Sequence, residues 1–369
     1  MSLHIFSKQT HIDFVGLRHY AYGLSALLLI VGLVTILMHG GLRYGVDFAG
    51  GAAVQLQFQK PVADETIKKS LAELDLPGLA IQQYGEDGRD YLVRFSTPNQ
   101  TSEGIRENII ASLDKSFSGN PASIQRLEMV GPKVGADLRN AALEAMYFAI
   151  LLITVYISGR FEQRWMIAAI MAAALGSAMY VMGLLGMDMV YRVIGALALT
   201  LIISWKLKLN YALGAIVGLL HDVLITLGLL EIMGKEIDLN IIAALMTLVG
   251  YSLNDTIIVY DRVRENLQNQ PEDDPAPLAD IINRSVNQTL GRTIMTSATT
   301  LIAALSLTIL GGGAIHDFAL TMTIGVFIGT FSSVFVSNPI LLMLGDTRQY
   351  MMARKKNEDY ERPGEHGVV

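Results

Sequence analysis

Two carboxylates and a guanidinium stand where the chain is otherwise apolar. Asp255 interrupts the run LNIIAALMTLVGYSLNDTIIVYDRVREN, flanked by Asn254 and Thr256. Asp222 follows His221 in the middle of YALGAIVGLLHDVLITLGLL. Arg292 opens the next apolar run, where Thr296, Thr300 and the nearby Thr299 make a polar stripe at helical spacing. An ionisable group inside a membrane span is expensive and is usually kept for ion or proton handling. A carboxylate withdrawn from water holds its proton more tightly, and a cation beside it loosens that hold. An acid and base that meet and part as the protein changes shape would therefore bind and release a proton in turn.

Depth decides whether such a pair can form. At about 1.5 Å of rise per residue, Asp255 lies roughly 9 Å inside the helix end marked by Asp261 and Arg262, and Asp222 roughly 20 Å from the same side. Arg292 falls at a shallow depth comparable to Asp255. Their helices are consecutive and antiparallel, so contact is allowed. The plain structural alternatives are an aspartate reaching interfacial water, an arginine snorkelling to headgroups, or an inert packing salt bridge. For Asp222 the alternative is a hydrogen-bonded helix–helix contact, and for His221 a packed imidazole. Asn254 and Ser252 read as interhelical hydrogen-bond formers.

The elements that must position these groups are membrane spans. The chain has 369 residues, 51% of them hydrophobic and 17% charged, with a mean hydropathy of +0.41. About 20 apolar residues cross a bilayer as a helix. The apolar runs predict eight spans, at 20–38, 141–157, 165–185, 190–205, 211–233, 239–260, 293–310 and 318–344. The last is interrupted late by Asn338-Pro339. The first follows Lys8, Arg18 and His19 as a secretory signal would, but it is long and LRYGVDFAGG makes a poor cleavage site, so it reads as a retained anchor.

Between the first two spans lies a polar block in which VQLQF, AIQQY, DYLVRFS and ASIQRLEMV read as strands. VADETIKKSLAEL and SEGIRENIIASLDKSF read as helices. The order βαββαβ is the ferredoxin-like pattern. The predicted fold class is an α-helical polytopic membrane protein of about eight spans with one such external α+β domain. Its parts are 1–39 (N-terminus and first span), 40–138 (the domain), 139–345 (helix bundle) and 346–369 (tail). Within the bundle, QPEDDPAPLAD forms a linker in the loop 262–291 and precedes an interfacial helix, DIINRSVNQTLGR.

Lysines and arginines set the orientation. One side collects Lys8, Arg18, Arg160, Arg164, Lys206, Lys208, Arg262, Arg264, Arg284 and Arg292, with Arg348, Arg354, Lys355 and Lys356 in the tail. The short loops of the other side hold Arg192 and Lys235. Both termini are therefore expected in the cytoplasm and the domain outside.

Composition narrows the chemistry. The net charge of -6 is spread over loops, with no basic surface for nucleic acid. Without cysteine there are no disulfides, thiol chemistry or Cys-based metal sites, and the seven histidines form no HExxH pair. No P-loop glycine motif is present, so energy from this chain's own nucleotide hydrolysis is not expected. The expectation is a transport component rather than an enzyme, with no metal and no cofactor.

At YGVDFAGGAAVQLQF, VGPKVGADLRNAAL, HDVLITLGLL, VGYSLNDTIIVYDRVRENL, NQTLGRTIMTSATTLIAAL and GGGAIHDFALTMTIGVFIGTFSSVFVSNPI, the chain resembles the SecD/SecF family of the resistance-nodulation-division superfamily, in the order of its SecF branch. The likeness covers nearly the whole chain. It implies a Sec translocase subunit of the bacterial inner membrane that couples the proton motive force to late-stage protein export. The partners it implies are SecD in a heterodimer, the SecYEG channel, YajC and YidC, and unfolded preprotein at the external face, among membrane lipids. Carried over residue by residue, the NDT aspartate is Asp255 and the RTIMTS arginine is Arg292, the family's proton-transport positions. Asp222 joins them as a candidate, with Asn254, Thr296 and His221 in support. Asp47, Gly50 and Gly51 match the signature after the first span, whose adjacent glycines permit unusual backbone angles and close approach.

One departure is plain. The family has six spans, with the RFE-type turn leading directly into the helix bearing the His-Asp pair. Here SGRFEQRW is followed by an extra segment near 166–207, predicted to add two spans. ISWKLKLNYALGAI loosely echoes ISGRFEQRWMIAAI, as a local duplication would. Two other functions stay open: a passive assembly or chaperone component of the Sec complex, and an independent exporter of the superfamily. Proton and sodium coupling are equally open.

Overall fold

The computed structural model describes residues 11–84, 87–96, 102–271 and 276–344. Lys8, the basic tail and part of the acidic linker lie outside them. Eight helices are long and apolar enough to cross a membrane. They are α1 (Arg18–Met38), then, after a small domain, α5 (Pro132–Glu162), α6 (Trp165–Leu184), α7 (Met189–Lys206), α8 (Asn210–Ile232), α9 (Leu239–Gln268), α10 (Leu278–Leu310) and α11 (Gly313–Ser332) with its continuation. The domain contains the one-turn α2 (Val46–Ala49), β1 (Gly51–Phe58), α3 (Asp64–Leu71), β2 (Ala80–Tyr84), β3 (Asp90–Phe95), α4 (Ser102–Ser116) and β4 (Ala122–Val130).

The domain has the expected βαββαβ order, folded as an antiparallel sheet ordered β2-β3-β1-β4. Strand alternation separates its two faces. Val54 pairs with Val93 and Leu56 with Tyr91, and these residues, with Ala52, Phe58 and Phe95, are buried beneath Ile67 and Leu71 of α3 and Ile105, Ile109 and Leu113 of α4. The opposite face carries Gln55, Arg94, Arg126 and Glu128. It overlooks the bundle across a cleft of about 620 Å³ that Asn240, His316 and Asp317 line from below.

The junction of domain and bundle explains the aspartate and double-glycine signature. Asp47 Oδ2 accepts from the N–H of Leu239 at 3.0 Å, and Asp238 Oδ1 from that of Ile241 at 2.8 Å, so two carboxylates cap the start of α9. Burial pushes the Asp238 carboxyl above its ordinary range, and nearby Asp47 and Asp317 push it the same way. Gly50 and Gly51 have φ of +78° and +130°. A Cβ on Gly50 would lie 2.7 Å from Pro132 Cα, and one on Gly51 2.5 Å from the Phe95 carbonyl oxygen. Arg94 reaches back to Glu236 at 2.5 Å, a second tie between sheet and bundle.

Helix α9 runs on to Gln268, eight residues past its expected end, and three other helices differ from their expected extents. Pro132 starts α5 nine residues ahead of the predicted span, since proline at the first helical positions sacrifices no hydrogen bond. The expected interfacial helix is continuous with the following span in α10. Ile281, Ile282, Ser285, Val286, Thr289, Leu290, Thr293 and Ser297 form one unbroken buried stripe there, and nothing breaks the backbone ladder. The last span passes through a π-helical turn, Ser333–Ser337, into α12 (Asn338–Met343). Pro339 has no N–H for the carbonyl four residues back and its ring crowds that carbonyl, so the wider turn relieves the clash. The Asn338 amide donates to the Ser333 carbonyl and the Tyr260 hydroxyl to that of Ser337, which holds the turn in place.

The extra segment is a helical hairpin, α6 and α7, lying against α5. Glu162 Oε1 at the end of α5 accepts from the N–H of Tyr211 at 3.0 Å, capping α8 across the insertion. Arg164 donates to the Leu207 carbonyl at 2.7 Å and closes the hairpin's neck. Gln163 and Lys208, on either side of the hairpin, take left-handed backbone angles. Only one stripe of α6, Ala168, Met171, Leu175 and Met179, is buried.

Helices α1 and α8 run parallel and touch most closely at two glycines. A Cβ on Gly32 would lie 2.9 Å from Gly228 Cα. Gly228→Val is expected to destabilise the protein by about 1–3 kcal/mol through overpacking. Chemical unfolding of the purified protein in detergent checks this, and parent-like stability would mean that the seam yields.

Candidate functional site

The polar residues of the spans form two neighbouring clusters, one on each carboxylate. Asp222 belongs to α8, which is buried nearly all round, and it is itself 0% exposed. One of its oxygens meets His221 Nδ1 at 2.9 Å. The other accepts the hydroxyls of Ser252 on α9 at 2.5 Å and Ser332 at the end of α11 at 2.8 Å. His221 Nε2 pairs with the Ser25 hydroxyl of α1 at 2.8 Å. Four helices thus meet at one imidazole–carboxylate pair whose polar atoms are occupied, as groups kept from water must be.

Asp255 is equally buried, at 1% exposure, but weakly held. Its carboxylate accepts from Thr296 at 3.4 Å and Ser297 at 3.3 Å, both on α10. These distances are at the long limit of hydroxyl hydrogen bonds. Thr296 also donates to the carbonyls of Arg292 and Thr293 at 3.0 Å, so its proton is shared. The Thr293 hydroxyl is buried without a hydrogen-bond partner among the described residues. A carboxylate with so little invested in its neighbours can exchange a proton without dismantling the packing around it.

Arg292 comes near Asp255 without closing on it. Among the described residues Asp255 makes no ion pair, and Arg292 is exposed on α10. Its charge reaches Asp255 across a longer gap. Asn254 is exposed and stands apart from the carboxylate cluster, and Thr299 and Thr300 bond back to carbonyls of their own helix. Of the predicted positions, then, Thr296 touches Asp255 and His221 touches Asp222, whereas Asn254 touches neither. Asp47, Gly50 and Gly51 sit at the junction with the domain.

Helix α11 runs between the clusters. Thr330 donates to the Ser297 hydroxyl at 2.7 Å, and Ser332, two residues on, serves Asp222. A Cβ on Gly329 would lie 3.1 Å from that of Ser252 and 3.5 Å from Asp222 Oδ2. Helix α11 thus contributes a hydroxyl to each cluster, Thr330 on the Asp255 side and Ser332 on Asp222. Ser25, Ser297, Thr330 and Ser332 are contacts of these clusters that sequence reasoning missed. Single hydroxyls in apolar helices carry no motif.

The family profile described as "Protein export membrane protein SecD/SecF, C-terminal" matches residues 109–202 and 184–347, and "SecD/SecF GG Motif" matches 35–62. The first two stretches overlap within α7, so the pattern is resumed inside the inserted hairpin. "Protein translocase subunit SecF" of Magnetococcus marinus is 36% identical over 360 residues, 97% of this chain and 99% of that one. The protein of that description from Escherichia coli O157:H7 is 34% identical over 349 residues, 94% and 92% of the two chains. The crystal structure of SecDF, a translocon-associated membrane protein from Thermus thermophilus, superposes with a TM-score of 0.64 at 31% identity. That alignment covers 90% of this chain and 38% of the longer one.

The two clusters differ in what their loss should cost. Interhelical hydrogen bonds in membranes average roughly 0.6 kcal/mol, so Asp222→Leu, which forfeits three, is expected to cost about 2 kcal/mol. Asp255→Asn disturbs only two long contacts and should cost less than about 1 kcal/mol on the same scale. Unfolding titrations in detergent compare them directly, and equal losses would contradict the distinction.

Proposed function

We propose a function for this chain from its kinship: it belongs to the SecD/SecF family of protein-export membrane proteins, in the SecF branch, and is an accessory subunit of the Sec translocase. Within that role it couples the proton motive force to late-stage export of preprotein and performs no enzymatic reaction of its own. The observation that carries this reading is Asp255, sealed in the bundle yet held by two long hydroxyl contacts, with Arg292 one helix away and unpaired to it. Protonation of Asp255 relaxes its attraction to Arg292, and deprotonation restores it. Each change alters how α9 and α10 sit together.

The membrane is the bacterial inner membrane. Arg18, Arg160, Arg164, Lys206, Lys208, Arg262, Arg264, Arg284 and Arg292 crowd the end of the bundle opposite the domain. This supports cytoplasmic termini and a periplasmic domain. The exposed position of Arg292 suits a neighbour, and SecD is the partner the longer SecDF chain suggests, packed about a pseudo-two-fold axis. SecYEG, YajC and YidC complete the assembly, and preprotein emerges beside the domain. Asp222, with every polar atom engaged, organises the helices and does not carry the proton.

The test is gradient-dependent preprotein translocation in proteoliposomes holding SecYEG, SecD and this chain. Asp255→Asn should reduce translocation to the level without a gradient, and Arg292→Ala should impair it at normal complex recovery. Replacing sodium by potassium should leave the parent unchanged. Gradient-dependent export by Asp255→Asn at parent rate would refute proton coupling, and sodium dependence would replace the proton by that ion.

A further inference from the structure

A small part of α1 is buried: Ala21, Ser25 and Gly32, all on the strip that faces α8 and the π-helical turn. The remainder of the helix presents Leu24, Leu27, Ile30, Leu33 and Leu37 outward. Yet α1 leads directly into the domain, as α5 leads out of it, so it is one of the two chain connections along which motion of the bundle reaches the domain.

Its attachment to α8 has three points, the first two in register. Ser25 bonds His221, and seven residues further along both helices Gly32 meets Gly228. At the domain end, His39 Nδ1 lies 3.0 Å from Glu231 Oε1, and Arg43 Nε donates to the same oxygen at 2.7 Å. Arg43 also donates to the Glu231 carbonyl at 2.6 Å. The glycine contact brings the two backbones as close as helices can come and leaves nothing to interlock, so it suits a pivot. The two polar ties lie on either side of it.

Ser25 is the deep tie, and it is fastened to the right place. His221 engages Asp222 through Nδ1, which leaves Nε2 for Ser25, the ring's two nitrogens having separate tasks. Asp222 in turn holds Ser252, one turn before Asp255 on the same face of α9, and Ser332, two residues beyond the Thr330 that bonds Ser297. A change in the packing of α9 and α10 around Asp255 therefore bears on Asp222 from both α9 and α11, and from Asp222 it reaches Ser25 through His221.

We infer that Ser25 is a positioning residue for proton-coupled export: its hydroxyl on His221 transmits rearrangement of the carboxylate clusters to α1, and about the Gly32–Gly228 contact to the domain. This rests on the proton-coupling reading above and adds the path by which coupling leaves the membrane. Ser25 neither binds nor passes the proton.

Threonine and valine have nearly the same shape, so Ser25→Thr and Ser25→Val differ only in the hydroxyl, and any steric disturbance is common to both. Each is reconstituted with SecD and SecYEG, and proton uptake is recorded beside gradient-dependent translocation. Ser25→Thr should keep both. Ser25→Val should keep proton uptake while translocation falls at least about fivefold relative to Ser25→Thr, the low end of usual coupling strengths. If the two variants behave alike, in either direction, or if Ser25→Val loses proton uptake with translocation, the inference is overturned. Asp255→Asn in the same assay separates the two ideas, because undiminished proton uptake there removes the proton reading itself.

Discussion

A carboxylate in the middle of an apolar bundle has no water to turn to, so the protein must supply every partner. Asp222 is met by an imidazole from its own helix and by hydroxyls from α9 and α11, and the imidazole is met by a hydroxyl from α1. No two of these helices could shift independently without stranding a buried polar atom. This requirement fixes how four helices are rotated about their axes. It also explains why small residues surround the pair, since Gly329 on α11 leaves no room for a side chain beside Ser252.

The second carboxylate depends on the first for its setting. Asp255 lies one turn from Ser252 on α9, so the register imposed at Asp222 also decides which part of α10 Asp255 faces. That part offers Thr296 and Ser297 at long range and keeps Arg292 beyond ion-pair distance. One acid is saturated and the other is nearly free, although both are buried to the same degree. Burial alone would have ranked them together; the hydrogen-bond partners tell them apart.

Much of this was legible in the sequence. The eight apolar runs, the βαββαβ order and the positions of Asp222, Asp255 and Arg292 follow from hydropathy, strand alternation and the cost of charge in lipid. What stayed hidden has physical causes. The continuity of α10 depends on a mixed stripe of isoleucines, serines and threonines whose burial is set by neighbouring helices. Asn338-Pro339 announced a break, but its resolution as a π-helical turn required knowing that Asn338 and Tyr260 would hydrogen-bond carbonyls of that turn. Ser25 was unreadable because its only distinction is a partner 196 residues away. Arg292 was expected within reach of Asp255, and helix spacing alone could not say whether the gap is closed.

The neck of the extra hairpin gives the fold an unexpected property. Glu162 caps α8 from the end of α5 although 48 residues intervene between Glu162 and Tyr211, and Arg164 seals the opening through which those residues leave and return. Two helices added there reverse the chain direction twice, so everything downstream keeps its sidedness. The joint between α5 and α8 therefore works as a socket. Helices added in pairs at that point leave the bonds that join α5 to α8 on either side of the insertion, while their inner faces extend the same apolar core.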